Sequence, residues 1–298
     1  MSPLEQAVFR TVCWFEVADY APTAFEVWKW LYRPPEGVML EDVMRALEAD
    51  KRLETVDGYW GRRGAGLAER VAARRERYVD ALRKMKRVRR AVWWFRLFPW
   101  VEMVVVGNTL AWWNTRPESD IDLFIVCAPG TVWLTRLCLV TPFAFLRWRP
   151  GPGVRDPLCF SFFVSRNALD MRPLRLPIED PYFAYWLRSL IPVFDRGEVF
   201  LQLQKENAWA TDEIPNAPGR APHPVFTVAP SWFVFPSWLA WFEPWARRLQ
   251  EGRLPEKIRA MMNKDTRVVL NDDVLKFHDQ DRRAEIRDAW NQLVKQEV

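Results

Sequence analysis

Two aspartates on one predicted strand are the residues in this sequence best suited to chemistry. Asp120 and Asp122 are separated by one residue in Ser-Asp-Ile-Asp-Leu. Side chains alternate along a strand, so both carboxylates are expected on one face, while Ile121, Leu123 and Ile125 point into a core. Neighbouring carboxylates repel each other unless a cation lies between them, and Mg²⁺ is commonly shared between one or two carboxylates and substrate phosphates. The pair therefore predicts a site for Mg²⁺ or Mn²⁺.

A glycine turn precedes this strand. Residues 104–106 form an apolar run that ends at Gly107 and Asn108, after which residues 109–113 can begin a helix with Asn108 as its N-cap. Glycine lets the backbone approach a ligand closely, and unpaired N–H groups at a helix start attract anions. We therefore expect a triphosphate to bind at this turn.

Hydrophobic strand, glycine turn, spacer and Ser-Asp-Ile-Asp-Leu together resemble the nucleotidyltransferase superfamily of DNA polymerase beta, over residues 101–164. Four residues match the family's pattern: Gly107, Ser119, Asp120 and Asp122. Asn108 stands where the family usually has serine. The resemblance implies that Asp120 and Asp122 are catalytic and bind the metal. It also implies that Gly107, Asn108 and Ser119 bind the nucleotide.

The family has a third carboxylate on a later strand. The strand predicted at residues 158–164 contains no acid, so Asp156, just before it, is the candidate for this catalytic role. The family also closes a helical segment over the nucleotide base. Four aromatic residues are positioned to stack on a base, although aromatic residues at helical spacing are also typical of a core: Tyr182, Tyr185, Trp186 and Trp209.

The predicted fold is α+β, with a nucleotidyltransferase-type mixed β-sheet between a winged-helix domain and a helical C-terminal region. We expect a winged-helix-like domain at residues 1–63, a nucleotidyltransferase domain at 64–214, and a linker with a helical region at 215–298. The N-terminal prediction depends on three short helices followed by a hairpin around Asp57-Gly58. The third helix carries four acids against one arginine, which favours a structural or protein-contact role over binding to DNA.

One long helix is predicted over residues 66–97, because apolar residues recur there at spacings of three, four and seven. The net charge of the chain is +5, and residues 62–90 hold twelve basic residues against three acidic ones. This basic helix is either a solvated face or a surface that attracts nucleic acid or another phosphate. Four arginines around the Pro-Gly-Pro-Gly loop at 150–153 could neutralise phosphate charge: Arg136, Arg147, Arg149 and Arg155.

Residues 225–248 allow two interpretations. Residues 225–242 have no formal charge and are rich in tryptophan, and Arg247 and Arg248 follow, as in a helix that lies at a membrane surface. The prolines and serines in the stretch favour instead a helix packed against the catalytic domain, which is the interpretation we expect. A terminal helix is expected within residues 271–298, and the His278-Asp279-x-Asp281 pattern is typical of helix capping.

Composition limits the class of protein. With 49% hydrophobic and 27% charged residues the chain is globular. Four dispersed cysteines and an N-terminus without an apolar leader favour a reduced, cytoplasmic protein. Two histidines disfavour a histidine-based triad.

Two functions follow. The first is transfer of a nucleoside monophosphate from a nucleoside triphosphate to RNA, a small molecule or a protein. The alternative is a catalytically silent relative that binds nucleotide or nucleic acid as a regulator.

Overall fold

The computed structural model describes residues 1–146, 151, 153–219 and 221–295. Arg147, Arg149 and part of the 150–153 loop lie outside these described residues. The helices are α1 (Pro3–Val17), α2 (Ala24–Lys29), α3 (Leu40–Ala49), α4 (Leu67–Phe95), α5 (Asn108–Ala111), α6 (Val132–Phe145), α7 (Pro181–Ser189), α8 (Val199–Glu206), α9 (Ala208–Glu213), α10 (Glu243–Glu251), α11 (Glu256–Met261) and α12 (Arg283–Lys295). The strands are β1 (Leu53–Val56), β2 (Tyr59–Arg62), β3 (Val101–Val106), β4 (Ile121–Cys127), β5 (Leu158–Ser165), β6 (Ile191–Asp195), β7 (Val268–Leu270) and β8 (Val274–Phe277).

A six-stranded mixed sheet forms the centre of the molecule, in the order β6-β3-β4-β5-β8-β7. Strands β4 and β5 are parallel, and the other neighbouring pairs are antiparallel. The fold is therefore mixed α+β, as expected. The sequence predicted β3, β4 and β5 but missed β6, β7 and β8. Residues 215–298 are thus not wholly helical, because β7 and β8 extend the sheet beside β5.

Apolar side chains alternate between the two faces of the sheet, and each face has its own core. Phe124 and Val126 pack on the face covered by α1, α7 and α12. Leu123 and Ile125 pack on the opposite face, which is covered by α4, α6 and α10. With both faces buried, the strands need apolar residues at successive positions, which explains the continuous runs in β3 and β4.

The N-terminal helices form where capping predicts them. Thr23 and Glu26 make the reciprocal capping box at the start of α2, and the β1–β2 hairpin turns at Asp57-Gly58. Helix α1 lies against the sheet-covering helices, where the Trp14 ring stacks on Tyr185 with centroids 4.4 Å apart. The elements expected of a winged helix are therefore present, while their arrangement as one stays a prediction.

Helix α4 confirms the long helix, but its positive charge is divided. Arg74 and Arg77, in its first half, form ion pairs with Glu26 and Asp19 of the N-terminal segment. Lys84 is fully buried. The second half of α4 presents Lys86, Arg89 and Arg90 to solvent, and in the first half Arg75 is exposed.

Candidate active site

The glycine turn packs against the backbone of β4 and the indole of Trp186 on α7. The Gly107 N–H donates to the carbonyl of Asp122 at 3.3 Å. A Cβ at Gly107 would lie 2.7 Å from Nε1 of Trp186, so only glycine allows the indole to approach this closely. Asn108 follows with a φ of +50°, a left-handed conformation that asparagine tolerates. The turn therefore depends on both residue types.

Asn108 connects the turn to the aspartate strand. Its Nδ2 donates to Oδ2 of Asp122 at 2.8 Å, and the Tyr182 hydroxyl donates to its Oδ1 at 2.9 Å. The chain Tyr182–Asn108–Asp122 thus fixes the orientation of the carboxylate. Because α5 has only four residues, its dipole contributes little to anion binding. The side-chain amide of Asn108 and the carboxylate of Asp122 are therefore the main polar groups where the glycine turn meets β4.

Asp122 and Asp120 face two spaces that meet at β5 and the end of β8. Asp122 lines a cavity of about 400 Å³, and Asp120 lines a groove of about 840 Å³. Cys159, Ser161 and Asp279 line both spaces. The structure therefore brings Gly107, Asn108 and Asp122 together, with Asp120 in the adjoining groove.

Both aspartates are harder to ionise than in water. Burial raises the pKa of Asp122, and hydrogen bonds from Asn108 and Cys159 oppose the shift. Burial also raises the pKa of Asp120, as does the negative charge of Asp122, while Lys84 lowers it. A bound cation would relieve this cost, because it stabilises the charged form of each carboxylate.

Asp156 lies in a different environment. Arg83 Nε donates to its Oδ2 at 3.0 Å and Arg83 Nη2 to its Oδ1 at 2.8 Å, which binds it to α4. Asp156 lines neither the cavity of Asp122 nor the groove of Asp120. The carboxylate that sequence reasoning selected as the third acid is thus held by an arginine on the basic helix.

Ser119 braces the loop that leads into β4. Its hydroxyl accepts from the Arg116 N–H at 2.9 Å, and its carbonyl accepts from Lys84 Nζ at 2.8 Å. Lys84 also pairs with Asp80 at 3.1 Å. The structure places Ser119 beside the buried Lys84, and these hydrogen bonds fix the backbone just before Asp120.

Cysteine and serine occupy the β5 positions beside Asp122. Cys159 is the register partner of Asp122, and Ser161 lies on the same face two residues further on. The Ser161 hydroxyl is 2.9 Å from Nε2 of His278. Strand β5 therefore presents a thiol and a hydroxyl, and no carboxylate, beside Asp122.

The far wall of the cavity comes from β8 and the start of α12, which sequence reasoning left out. Burial and the charge of Lys276 lower the pKa of His278 to about 3, so the imidazole is neutral. Arg283 binds Asp281 and, at 2.7 Å, Asp180. Asp281 does cap α12, since it accepts from the Arg283 N–H at 3.1 Å. In the sequence, the polar residues Lys276 and His278 alternate with apolar neighbours, and this alternation was the available signal for a strand.

Two of the four predicted stacking residues line the cavity. They are Tyr182 and Trp186. The Trp186 ring stacks on Phe183 at 5.3 Å and on Phe162 at 5.7 Å between centroids. Tyr185 instead packs in the core against Trp14, as the alternative interpretation holds. Trp209 packs under the Arg175 guanidinium, 4.0 Å from the ring centroid.

Two of the four candidate phosphate-binding arginines belong to described residues. Arg136 lines the groove of Asp120, where its Nη1 donates to Gln250 at 2.7 Å. Arg155 is exposed one residue before Asp156. Among the described residues, no cluster of three or more histidine, cysteine, aspartate or glutamate side chains is arranged to hold a metal ion. Asp120 and Asp122 alone fit an ion that a substrate phosphate helps to hold, not a closed protein site.

Comparison with known proteins yields no relative. The chain matches no family model, no curated protein and no solved structure. No helix within the described residues is both long enough and apolar enough to cross a membrane.

Proposed function

We propose that this protein is a metal-dependent nucleotidyltransferase of the DNA polymerase beta type, which transfers a nucleoside monophosphate from a nucleoside triphosphate to a hydroxyl acceptor. The observation that supports this proposal most is that the glycine turn and the aspartate strand lie side by side at one site. Asn108 binds Asp122 at 2.8 Å in one cavity, and Asp120 lines the groove next to it. Nucleotide and acceptor would then meet where the cavity joins the groove, at β5 and the end of β8.

The residues divide into two groups by role. Asp120 and Asp122 would hold Mg²⁺ or Mn²⁺, which when bound neutralises triphosphate charge and polarises the attacked α-phosphate. Asn108 and Tyr182 orient Asp122 through the two hydrogen bonds described above. Trp186 is stacked on Phe183 and Phe162, so it would form part of the apolar wall of the cavity beside the nucleotide.

The acceptor hydroxyl needs a group that takes its proton. Asp156 does not suit this role while Arg83 holds both of its oxygens. Asp279 lines both the cavity and the groove, and Lys257 Nζ donates to only its Oδ2, at 2.6 Å, among the described residues, so Asp279 replaces Asp156 as our candidate for the third carboxylate. RNA, a small molecule or a protein side chain can each supply the hydroxyl.

A second candidate is nucleotide binding without transfer, as a regulator. The acid-free β5 supports it, because Cys159 and Ser161 flank Asp122 where the family has a carboxylate. The N-terminal elements fit either candidate. A winged helix with a structural role is supported by two contacts of α1: Trp14 stacks on Tyr185, and Trp290 Nε1 donates to the Arg10 carbonyl at 2.7 Å.

Transfer of label from α-labelled nucleoside triphosphates tests the proposal. We expect the purified protein, with Mg²⁺ or Mn²⁺ and a cell lysate, to label one acceptor fraction. Asp120→Asn and Asp122→Asn should each lower the rate about a hundredfold or more, because each removes a metal ligand. Asp279→Asn should lower the rate, and Asp156→Asn is the matched control that should keep it.

Calorimetry separates the two candidates. Nucleotide binding without a metal requirement, combined with no transfer to any fraction, would establish the silent regulator and refute the enzyme. Full transfer by Asp122→Asn would also refute the proposed mechanism. Failure to bind any nucleoside triphosphate would refute both candidates.

A further inference from the structure

The tryptophan-rich stretch is exposed instead of packed. We call six of its side chains the tryptophan face: Trp232, Phe233, Trp238, Trp241, Phe242 and Trp245. Trp232 is 97% exposed and Trp241 is 85% exposed. Folded chains seldom leave such large apolar side chains together in water, and an exposed apolar patch of this kind marks an interaction site.

The stretch is anchored so that its aromatic rings stay outside. Phe226 and Val228 are buried in the core below it. Glu243 points inward, since its carboxylate accepts the N–H groups of Trp133 and Leu134 at 2.9 and 2.6 Å. The expected packing helix is therefore only partly present, and the one acid at its end is turned away from the tryptophan face.

Basic side chains lie at the edges of this face. Trp241, Trp245 and Arg248 follow one another at spacings of four and three, which places them on one side of α10 and the turn before it. Arg248 is exposed. In the part of the chain that the structure describes, it forms no ion pair.

A second basic group comes from the end of α4. Lys86, Arg89 and Arg90 are exposed, and Trp93 follows them on the same side of the helix, 48% exposed. None of the three cations forms an ion pair with a described residue. We call Lys86, Arg89 and Arg90 the basic stripe.

Direct contacts join the end of α4, just after the basic stripe, to residues 229–235, which lie within the stretch that carries the tryptophan face. The Arg96 guanidinium lies 3.5 Å from the Trp93 ring centroid, and its Nη1 donates to the Ala229 carbonyl at 3.2 Å. One turn on, the Phe235 N–H donates to the Leu97 carbonyl at 2.8 Å. Residues 229–235 thus cross the end of α4 and continue its surface.

We propose that this surface attaches the protein to a membrane that carries anionic lipid, with the tryptophan face in the interface and the basic stripe against the headgroups. Exposed aromatic side chains with flanking cations suit such an interface. Residues 225–242 contain no charged residue, so the cations lie outside this aromatic stretch and do not alternate with its rings. Single-stranded nucleic acid needs cations that follow the backbone between stacking rings, which this arrangement lacks.

Sedimentation with vesicles tests the attachment on the full chain. We expect binding to phosphatidylcholine vesicles that contain phosphatidylglycerol, much weaker binding to phosphatidylcholine alone, and release by high salt. The triple variant Trp232→Ser/Trp241→Ser/Trp245→Ser should weaken binding about tenfold or more. Because these side chains are exposed, its circular dichroism and unfolding midpoint should match those of the wild type.

A second triple variant tests the charges. Lys86→Gln/Arg89→Gln/Arg90→Gln should also weaken binding about tenfold or more, and only on the anionic vesicles. The control is Phe25→Ser, which removes an aromatic ring that is 52% exposed on α2 and should change nothing.

Three results would overturn the proposal. One is that the folded wild type fails to sediment with the anionic vesicles. Another is an equal loss of binding in Phe25→Ser. The last is that the tryptophan variant abolishes self-association in light scattering, or binding to a single-stranded oligonucleotide, while vesicles bind neither protein.

Discussion

Replacing Gly107 with alanine tests whether the glycine turn is shaped by the indole of Trp186. The new Cβ would lie 2.7 Å from Trp186 Nε1, whereas ordinary contacts begin at 3.4 Å. The indole must therefore move by about 0.7 Å, yet it is stacked against Phe183 and Phe162. Overpacking of this kind costs about 1–3 kcal/mol.

Chemical denaturation measures the cost, and a second glycine supplies the control. Gly107 has a φ of −124°, which alanine adopts without strain, so the loss should come from the contact alone. Gly252→Ala is the matched control, because its φ is −64° and its Cβ would meet nothing closer than the Arg248 carbonyl at 3.4 Å. We expect it to change the free energy of unfolding by less than about 1 kcal/mol.

A double-mutant cycle decides whether Trp186 is the cause. In the Trp186→Phe background the indole nitrogen is gone, so Gly107→Ala should cost less than it does in the wild type, with a coupling of about 0.5–3 kcal/mol. An equal cost in both backgrounds, or no cost in the wild type, would refute the reasoning.

Three further substitutions report on the carboxylates, each through unfolding at defined pH. Asp122→Asn should raise the free energy of unfolding at neutral pH, because burial raises the pKa of Asp122 and its ionised form destabilises the folded state. This gain in stability over the wild type should disappear as the pH falls through the raised pKa, where Asp122 itself becomes neutral. Asp156→Asn should lower stability by about 1–3 kcal/mol without affecting nucleotide binding, because Arg83 loses a charged partner. Although burial opposes it, Arg283 lowers the pKa of Asp281 to about 2. The stability from this pair is present above pH 3.8 and lost as the pH falls toward 2, so Asp281→Asn should remove on the order of 2 kcal/mol and flatten that acid-side loss.

Local sequence patterns correctly predicted the helices and strands that are specified by residues within a single segment. The capping box of Thr23 and Glu26, the stripe of α4 and the apolar runs of β3 and β4 each follow from spacing alone. Strand β6 was missed because it is short and contains Pro192, which disfavours a strand in a sequence reading. Strands β7 and β8 have three and four residues, and they depend on tertiary pairing: β8 pairs with β5, and β7 pairs with β8.

The partners of individual side chains could not be predicted in the same way. Asp156 was a reasonable third acid from its position, but its partner Arg83 lies 73 residues earlier in the chain. The tryptophan face is a similar case: burial is the usual state of tryptophan, and only the folded backbone shows which rings have no neighbour. By contrast, Asp122 and Asn108 meet as expected, because Val106 at the end of β3 pairs with Leu123 of β4 and so places the turn beside the start of β4.

The candidate site depends on both ends of the chain. His278 reaches Ser161 only because β8 pairs with β5. Arg283, which follows β8 in the chain, binds Asp180 at the start of α7. Helix α7 in turn supplies Tyr182, which orients Asn108 and through it Asp122. Because α12 packs on α1, the N-terminal helices also support this wall. A substitution at the α1–α12 contact should therefore alter nucleotide binding, although the substituted residue does not line the cavity. Through this contact the N-terminal segment would influence the site.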